Sequence, residues 1–263
     1  MRRSRSQRWL FAVPAALSVL GLSVPLAALV GRALTQGTGH LVDPAIGAAV
    51  RLSLATSAIS TLVVIALGTP LAYVMARYRF RGRGLVQLVI DLPIVLPPMV
   101  AGIGLLMAFG RQGLLGAPLS VLGISLPFTT VAVVMAQAFV AGPFFVRSAT
   151  IGFAAVDRSV REAAAVEGAT ELEVFRKIEV PLAARPIGSG IVLAWARAVG
   201  EFGATIFFAG NREGVTQTMP LLIFVGFETE IEVAIALSVV LVAMSAVVLG
   251  VLRLLDRPGV VGH

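Results

Sequence analysis

The sequence predicts an all-α membrane protein with about six transmembrane helices, on three observations. Of 263 residues, 57% are hydrophobic and only 13% charged, with a mean hydropathy of +0.94; soluble domains carry about a quarter charged residues. The apolar residues gather into stretches of the ~20 residues that a helix needs to cross a hydrocarbon core. The cations gather in alternate segments between those stretches. This composition excludes a disordered chain. Without a single Cys, and with His40 and His263 as the only histidines, neither a disulfide scaffold nor a zinc site of the usual kind is available. No cofactor or metal is expected.

The first span covers residues 9–30 and follows Arg2, Arg3, Arg5 and Arg8. A basic tail before an apolar run also describes a signal peptide, but signal cores run about 7–15 residues. A retained anchor behind a cytoplasmic tail (1–8) is expected. The second span, 48–76, contains Pro70. The third, 85–109, contains Pro93, Pro97 and Pro98 with Gly102 and Gly104. Each interior proline deletes a backbone hydrogen bond and kinks its helix, and the freed carbonyls need neighbouring helices or a water-lined cavity. The third span therefore either packs or borders a path. The fourth, 128–146, carries Gly142-Pro143; the fifth, 187–209, carries Arg197 and Glu201; the sixth covers 233–255 before a short cytoplasmic tail, 256–263. Residues 9–255 thus form one membrane domain, without the short alternating strands of a barrel.

All but one of the 21 cations are Arg, set against 14 acidic residues. With the N-terminus inside, the N-terminal arginines, Arg77 to Arg83, the basic residues of 147–185, and Arg253 with Arg257 all fall on the cytoplasmic side. Only Arg32, Arg51, Arg111 and Arg212 fall outside or near it. The positive-inside rule supports this orientation, with both termini cytoplasmic. Cations spread over separate loops face an anionic lipid leaflet and make no nucleic-acid footprint.

The chain carries no energy source of its own. A phosphate-binding loop requires G-x-x-x-x-G-K-[ST], and the only lysine, Lys177, has no glycine before it in Phe175-Arg176-Lys177-Ile178. Ionisable residues inside the spans are Asp91, Arg197 and Glu201, and such groups are costly in hydrocarbon. Arg197 and Glu201 stand four apart on one helix face and can pair. They form either a structural ion pair or part of a pathway. A proton-coupled carrier would want a richer relay than this, which weakens the secondary-transporter reading.

The longest inside segment, about 148–186, reads as two short helices. Ser159 to Glu162 and Thr170 to Glu173 both fit the capping-box pattern, Gly168 suits a left-handed C-terminal cap, and Pro181 and Pro186 are expected to end the second helix. Glu162-Ala163-Ala164 offers a small-residue face, and Leu172, Phe175 and Ile178 an apolar stripe at helical spacing. That stripe must be buried, against its own bundle or in another protein's groove.

Glu162-Ala163-Ala164, three residues, Gly168, nine residues, Ile178, one residue and Val180-Pro181 resemble the EAA-loop signature of ABC importer permeases. Val180 replaces the family's usual Leu. The resemblance implies a type I importer fold. It also implies that Glu162, Ala163, Ala164, Gly168, Phe175, Ile178 and Pro181 belong to a loop that docks on a separate ATP-binding subunit, and that this chain is no enzyme alone.

Two further segments, Leu92 to Gly102 and Arg197 to Thr205, with Gly210-Asn211 and Thr216 to Pro220, are similar to the molybdate, tungstate and sulfate permeases, the molybdate members above all. This implies oxyanion import, with molybdate first and sulfate, thiosulfate or tungstate as alternatives. It implies a permease homodimer in the inner membrane, two ATPase subunits and an extracytoplasmic solute-binding protein. Pro97, Pro98, Arg197, Glu201 and Thr205 are the candidate pathway or gate. Polar groups at Thr205, Asn211, Thr216, Gln217 and Thr218 either meet an anion or belong to an ordinary loop.

Overall fold

The computed structural model describes residues 5–36 and 44–255. Arg2, Arg3, His40, Arg257, His263 and the C-terminal tail 256–263 lie outside the described residues. Within them every regular element is helical. Four helices are long and apolar enough to cross a membrane: α1 (Arg5–Gln36), α2 (Pro44–Arg77), α6 (Thr130–Ala154) and α13 (Ile231–Leu255). They extend the apolar stretches read from sequence by a few residues at one or both ends. Pro70 and Pro143 lie inside continuous helices.

The third stretch is not one helix. It divides into α3 (Arg83–Val95) and α4 (Pro98–Phe109), bent by 120° at the break. A residue before proline is pushed out of the α region, and here that applies twice in succession: Leu96 precedes Pro97, and Pro97 precedes Pro98. Both are extended, with ψ of 134° and 131°. The fifth stretch also breaks, into α10 (Ala184–Val199) and α11 (Gly203–Phe208). The six apolar stretches therefore become, among the described residues, four continuous helices and two broken ones. Two short helices, α5 (Gly116–Val121) and α12 (Met219–Thr229), occupy segments read from sequence as connections.

Helix α6 is the centre of the bundle and packs on α2, α10, α3, α4 and α11. Its fully buried Phe145 and Phe153 meet Ala72 of α2 and Ala194 and Ala198 of α10. Further along, Ala132, Val133, Ala136 and Val140 meet Ala101 and Leu105 of α4 and Ala204 and Phe208 of α11. Apolar burial gives little drive for association within lipid, so small residues that let backbones approach dominate these contacts. Helix α2 buries Ser53, Thr56, Ser57, Ser60 and Thr61 on one face. Thr56, Ser60 and Thr61 donate to carbonyls of their own helix, which satisfies each hydroxyl where no water competes. A third cluster joins Ile46 and Ala49 of α2 to Met219, Leu222, Val233 and Leu237. Helix α1 packs on α13 and exposes Leu10, Phe11, Leu17 and Leu22, the surface expected of a helix facing hydrocarbon.

Candidate functional site

The segment joining α6 to α10 holds α7 (Arg158–Val166), α8 (Glu171–Val174), a π-helical turn (Phe175–Glu179) and α9 (Val180–Leu182). The N-cap of α7 is Asp157, two residues earlier than the expected Ser159: its Oδ1 accepts from the Ser159 N–H at 2.8 Å. That bond holds the Asp157 carboxyl below its usual pKa. Glu162, the expected box partner of Ser159, pairs instead with Arg158 at 2.5 Å, one turn back on the same face.

Gly168 sits at φ +84°. The Gly168 N–H donates to the Ala165 carbonyl at 3.1 Å and the Ala169 N–H to the Ala164 carbonyl at 3.0 Å. These are the two bonds of a Schellman cap, which favours glycine at this position. The Thr170 box forms as expected, with Thr170 Oγ1 accepting from the Glu173 N–H and the Glu173 carboxylate from the Thr170 N–H. Lys177 lies 2.8 Å from Glu173. Lys177 first, and the Thr170 N–H second, pull the Glu173 carboxyl down to about 2.

Pro181 does not end this helical run, and Pro186 lies inside α10. A proline has no N–H to return to the residue four back. The chain widens into a π turn just before it, where the Val180 N–H donates to the Phe175 carbonyl, and Pro181 then sits in the first turn of α9, where no N–H is needed.

The apolar stripe splits between the two expected destinations. Phe175 turns to its own bundle and stacks edge-on against Tyr73 at 5.0 Å, and Tyr73 in turn meets Phe153 at 5.5 Å. Ile178 is half-buried, while Leu172 stays 62% exposed. Glu162, Ala163 and Gly168 are exposed, as is Pro181, and Ala164 is half-buried. The loop therefore presents a small-residue helix, a tight cap and an unpartnered leucine to its surroundings.

The candidate pathway residues meet at the two helix breaks. Arg197 lies 2.6 Å from Glu201, as their spacing allows. Glu201 is buried in the break between α10 and α11, and its second oxygen accepts from the Ala204 N–H at 2.7 Å. The start of α4 packs against the start of α11: a β-carbon on Gly203 would stand 2.8 Å from Pro98 Cβ, and one on Gly102 2.7 Å from the Ala204 carbonyl oxygen. Pro97, Pro98, Glu201 and the first turn of α11 thus share one place, with Thr205 buried one turn further and its hydroxyl unpartnered. Interrupted helices that face one another are how membrane carriers expose backbone groups to a solute.

At the far end of α6, the Thr130 hydroxyl donates to the Val215 carbonyl and the Arg212 N–H to Thr216 Oγ1. Thr216 is thus used within its loop. The Asn211 Oδ1 and the Thr218 hydroxyl lack partners. A cavity of about 790 Å³ opens there, with Arg111 and Arg212 in its wall. Asp91 pairs with Arg147 of α6 at 2.5 Å and accepts from Gln87 at 2.9 Å.

Sequence reasoning missed Glu179. It is fully buried, 2.5 Å from Arg77 at the end of α2 and 3.6 Å from Arg161 of α7. Its signal was a lone acid between apolar Ile178 and Val180 on a stripe already marked for burial.

Residues 68–258 match the binding-protein-dependent transport system inner membrane component family. The chain belongs to that family. A molybdenum transport system permease protein of Mycobacterium tuberculosis, ModB, is 43% identical over 93% of each chain. The sulfate transport system permease protein CysT of Salmonella typhimurium is 34% identical, over 92% of this chain and 90% of its own. A bacterial ABC transporter that imports the acidic polysaccharide alginate shares the fold, with a TM-score of 0.76 at 16% identity over 97% of each chain. A second structure of an alginate transporter, in complex with a substrate-loaded periplasmic protein, gives 0.74 at 17% identity over 96% of this chain and 94% of its own. The protein is an ABC importer permease subunit of the inner membrane, the transmembrane component of a system whose ATP hydrolysis lies in a separate subunit and which works with a binding protein.

Proposed function

We propose that this permease conducts molybdate inward and is driven through the loop that holds α7 and α8. The observation that carries the substrate is the 43% identity, sustained over 93% of both chains, to a molybdenum permease. Support for the drive is local: α7 has no buried residue, its Glu162-Ala163 face is open, and Gly168 closes it with a tight cap. Such a helix leaves Val160, Ala163 and Val166 exposed when alone, apolar surface that a partner's cleft can cover. Two copies of this chain form the pathway, each carrying one ATPase subunit. Nucleotide binding closes the ATPase pair and moves both loops, and the helix breaks around Pro97 and Glu201 open the path to an anion delivered by the binding protein. Both termini and the loop are cytoplasmic.

Reconstitution tests this directly. Proteoliposomes containing the permease, its ATPase and its binding protein are loaded with ATP and given labelled molybdate, with tungstate and sulfate as competitors. ATP-dependent molybdate uptake is expected, blocked by omission of the binding protein. Uptake that persists without the ATPase and collapses with the proton gradient would reject the reading. A sulfate permease is the second reading, favoured by the 34% identity to the sulfate permease; transport of sulfate with no competition by molybdate would establish it.

A further inference from the structure

Helix α7 is held to the bundle mainly by charge. None of its residues is buried, and a cavity of about 460 Å³ lies between it and the end of α2, with Tyr73, Arg77, Arg161 and Ala165 in its wall. One line of charged side chains bridges that gap: Arg161 on α7, Glu179 in the π turn and Arg77 on α2. Glu179 is 0% exposed, Arg77 7% and Arg161 30%. The other ionic pair of α7, Arg158 with Glu162, is internal to the helix and exposed.

Stability is a poor reason for this arrangement. Two guanidinium groups around one carboxylate leave a net positive charge in a buried place, and apolar replacements of buried ion pairs are often neutral or stabilising. The contacts are also unequal, at 2.5 and 3.6 Å. The Nε of neither arginine has a hydrogen-bond partner and no arginine contact on Glu179 has ideal geometry, while the Tyr73 hydroxyl also faces the Glu179 carboxylate. Long, flexible arginine arms on a shared acid can slide without breaking the link. The cluster therefore joins elements that otherwise barely pack, and leaves room for relative travel.

We infer that Glu179 is a positioning residue that tethers α7 to α2, so that displacement of α7 is passed through Arg161, Glu179 and Arg77 into the membrane bundle. This rests on the reading of α7 as the helix that docks on the ATPase.

The test uses the complete reconstituted transporter and reads molybdate taken up per ATP hydrolysed. Arg161→Gln comes first, since Arg161 is partly exposed on a helix with no buried residue and Glu179 keeps Arg77 as its nearer partner. The ratio is expected to fall at least fivefold, with Arg161→Lys recovering much of it. Glu179→Gln is expected to fall equally, and the double variant no further than either single one. Unchanged coupling in Arg161→Gln, or single effects that multiply in the double variant, would overturn the inference. Should Glu179→Gln fail to assemble, the Arg161→Gln and Arg161→Lys pair decides alone.

A separate arm introduces Val166→Cys, at a position 88% exposed on α7, and cross-links it to the ATPase. Cross-linking together with normal coupling in Arg161→Gln would remove the tether and leave the docking reading standing. Absence of any cross-link to the ATPase would remove both.

Discussion

At the scale of single residues, the loop between α6 and α10 depends on backbone geometry and local charge. A β-carbon at Gly168 would meet nothing within 4 Å, so any penalty there comes from φ +84° alone. Gly168→Val should cost about 1 kcal/mol in the capped conformation and lower uptake per ATP several-fold with membrane insertion unchanged. Gly168→Asn should retain more, because Asn tolerates this region. Equal coupling in all three forms would defeat the expectation. Glu173 offers a pH test. Its folded pKa is depressed to about 2 from 4.5, so its contribution to the α8 cap is fully present above the unfolded value and is lost as pH falls through about 2. Hydrogen-exchange protection of the α8 amides, corrected for intrinsic rates, should decline across that window and be low throughout in Thr170→Ala. A flat profile in the parent protein would count against it.

At the scale of elements, the breaks in the third and fifth stretches set the geometry. Gly102 stands where a β-carbon would come within 2.7 and 2.9 Å of the Ala204 backbone, whereas Gly104 has nothing within 4 Å. Gly102→Val should therefore destabilise the α4 to α11 contact by roughly 1–3 kcal/mol and lower the melting midpoint of the purified permease. Gly104→Val should leave it close to the parent; similar midpoints for the two variants would show that the contact is not tight. The uninterrupted spans α1, α2, α6 and α13 were legible because hydropathy measures the transfer of a long apolar helix to lipid. The breaks were only half legible. Pro97-Pro98 marked a kink, but composition carries no angle, and a helix bent by 120° has the same hydropathy as a straight one. The choice of Asp157 over Ser159 as cap was hidden because both side chains can accept from an orphan N–H, and the start chosen also pairs Arg158 with Glu162. Glu179 was hidden because its partners lie 18 and 102 positions away in the chain, beyond any local pattern.

At the scale of the molecule, the fold sorts the cations more sharply than the sequence does. The contact of Arg77 with Glu179 brings the end of α2, and with it Arg79, Arg81 and Arg83, to the same end of the bundle as Arg158, Arg161, Arg176, Lys177 and Arg185. At the opposite end of α6, the bonds from Phe128 to Phe208 and from Thr130 to Val215 place Arg212, and the cavity wall it shares with Arg111. One end thus carries a dense basic belt and the other a sparse one. Positively charged loops are retained on the cytoplasmic side, so the end bearing α7 should face the ATPase and the end bearing Arg212 the solute-binding protein. The chain has no native cysteine, which makes the assignment measurable with single introduced thiols. Glu213→Cys, exposed beside Arg212, should react with an impermeant maleimide in intact cells stripped of outer barriers. Val166→Cys should react only after the membrane is opened. The reverse pattern would place the loop on the side where no ATP is available, and the proposed drive through α7 would then have no motor to engage.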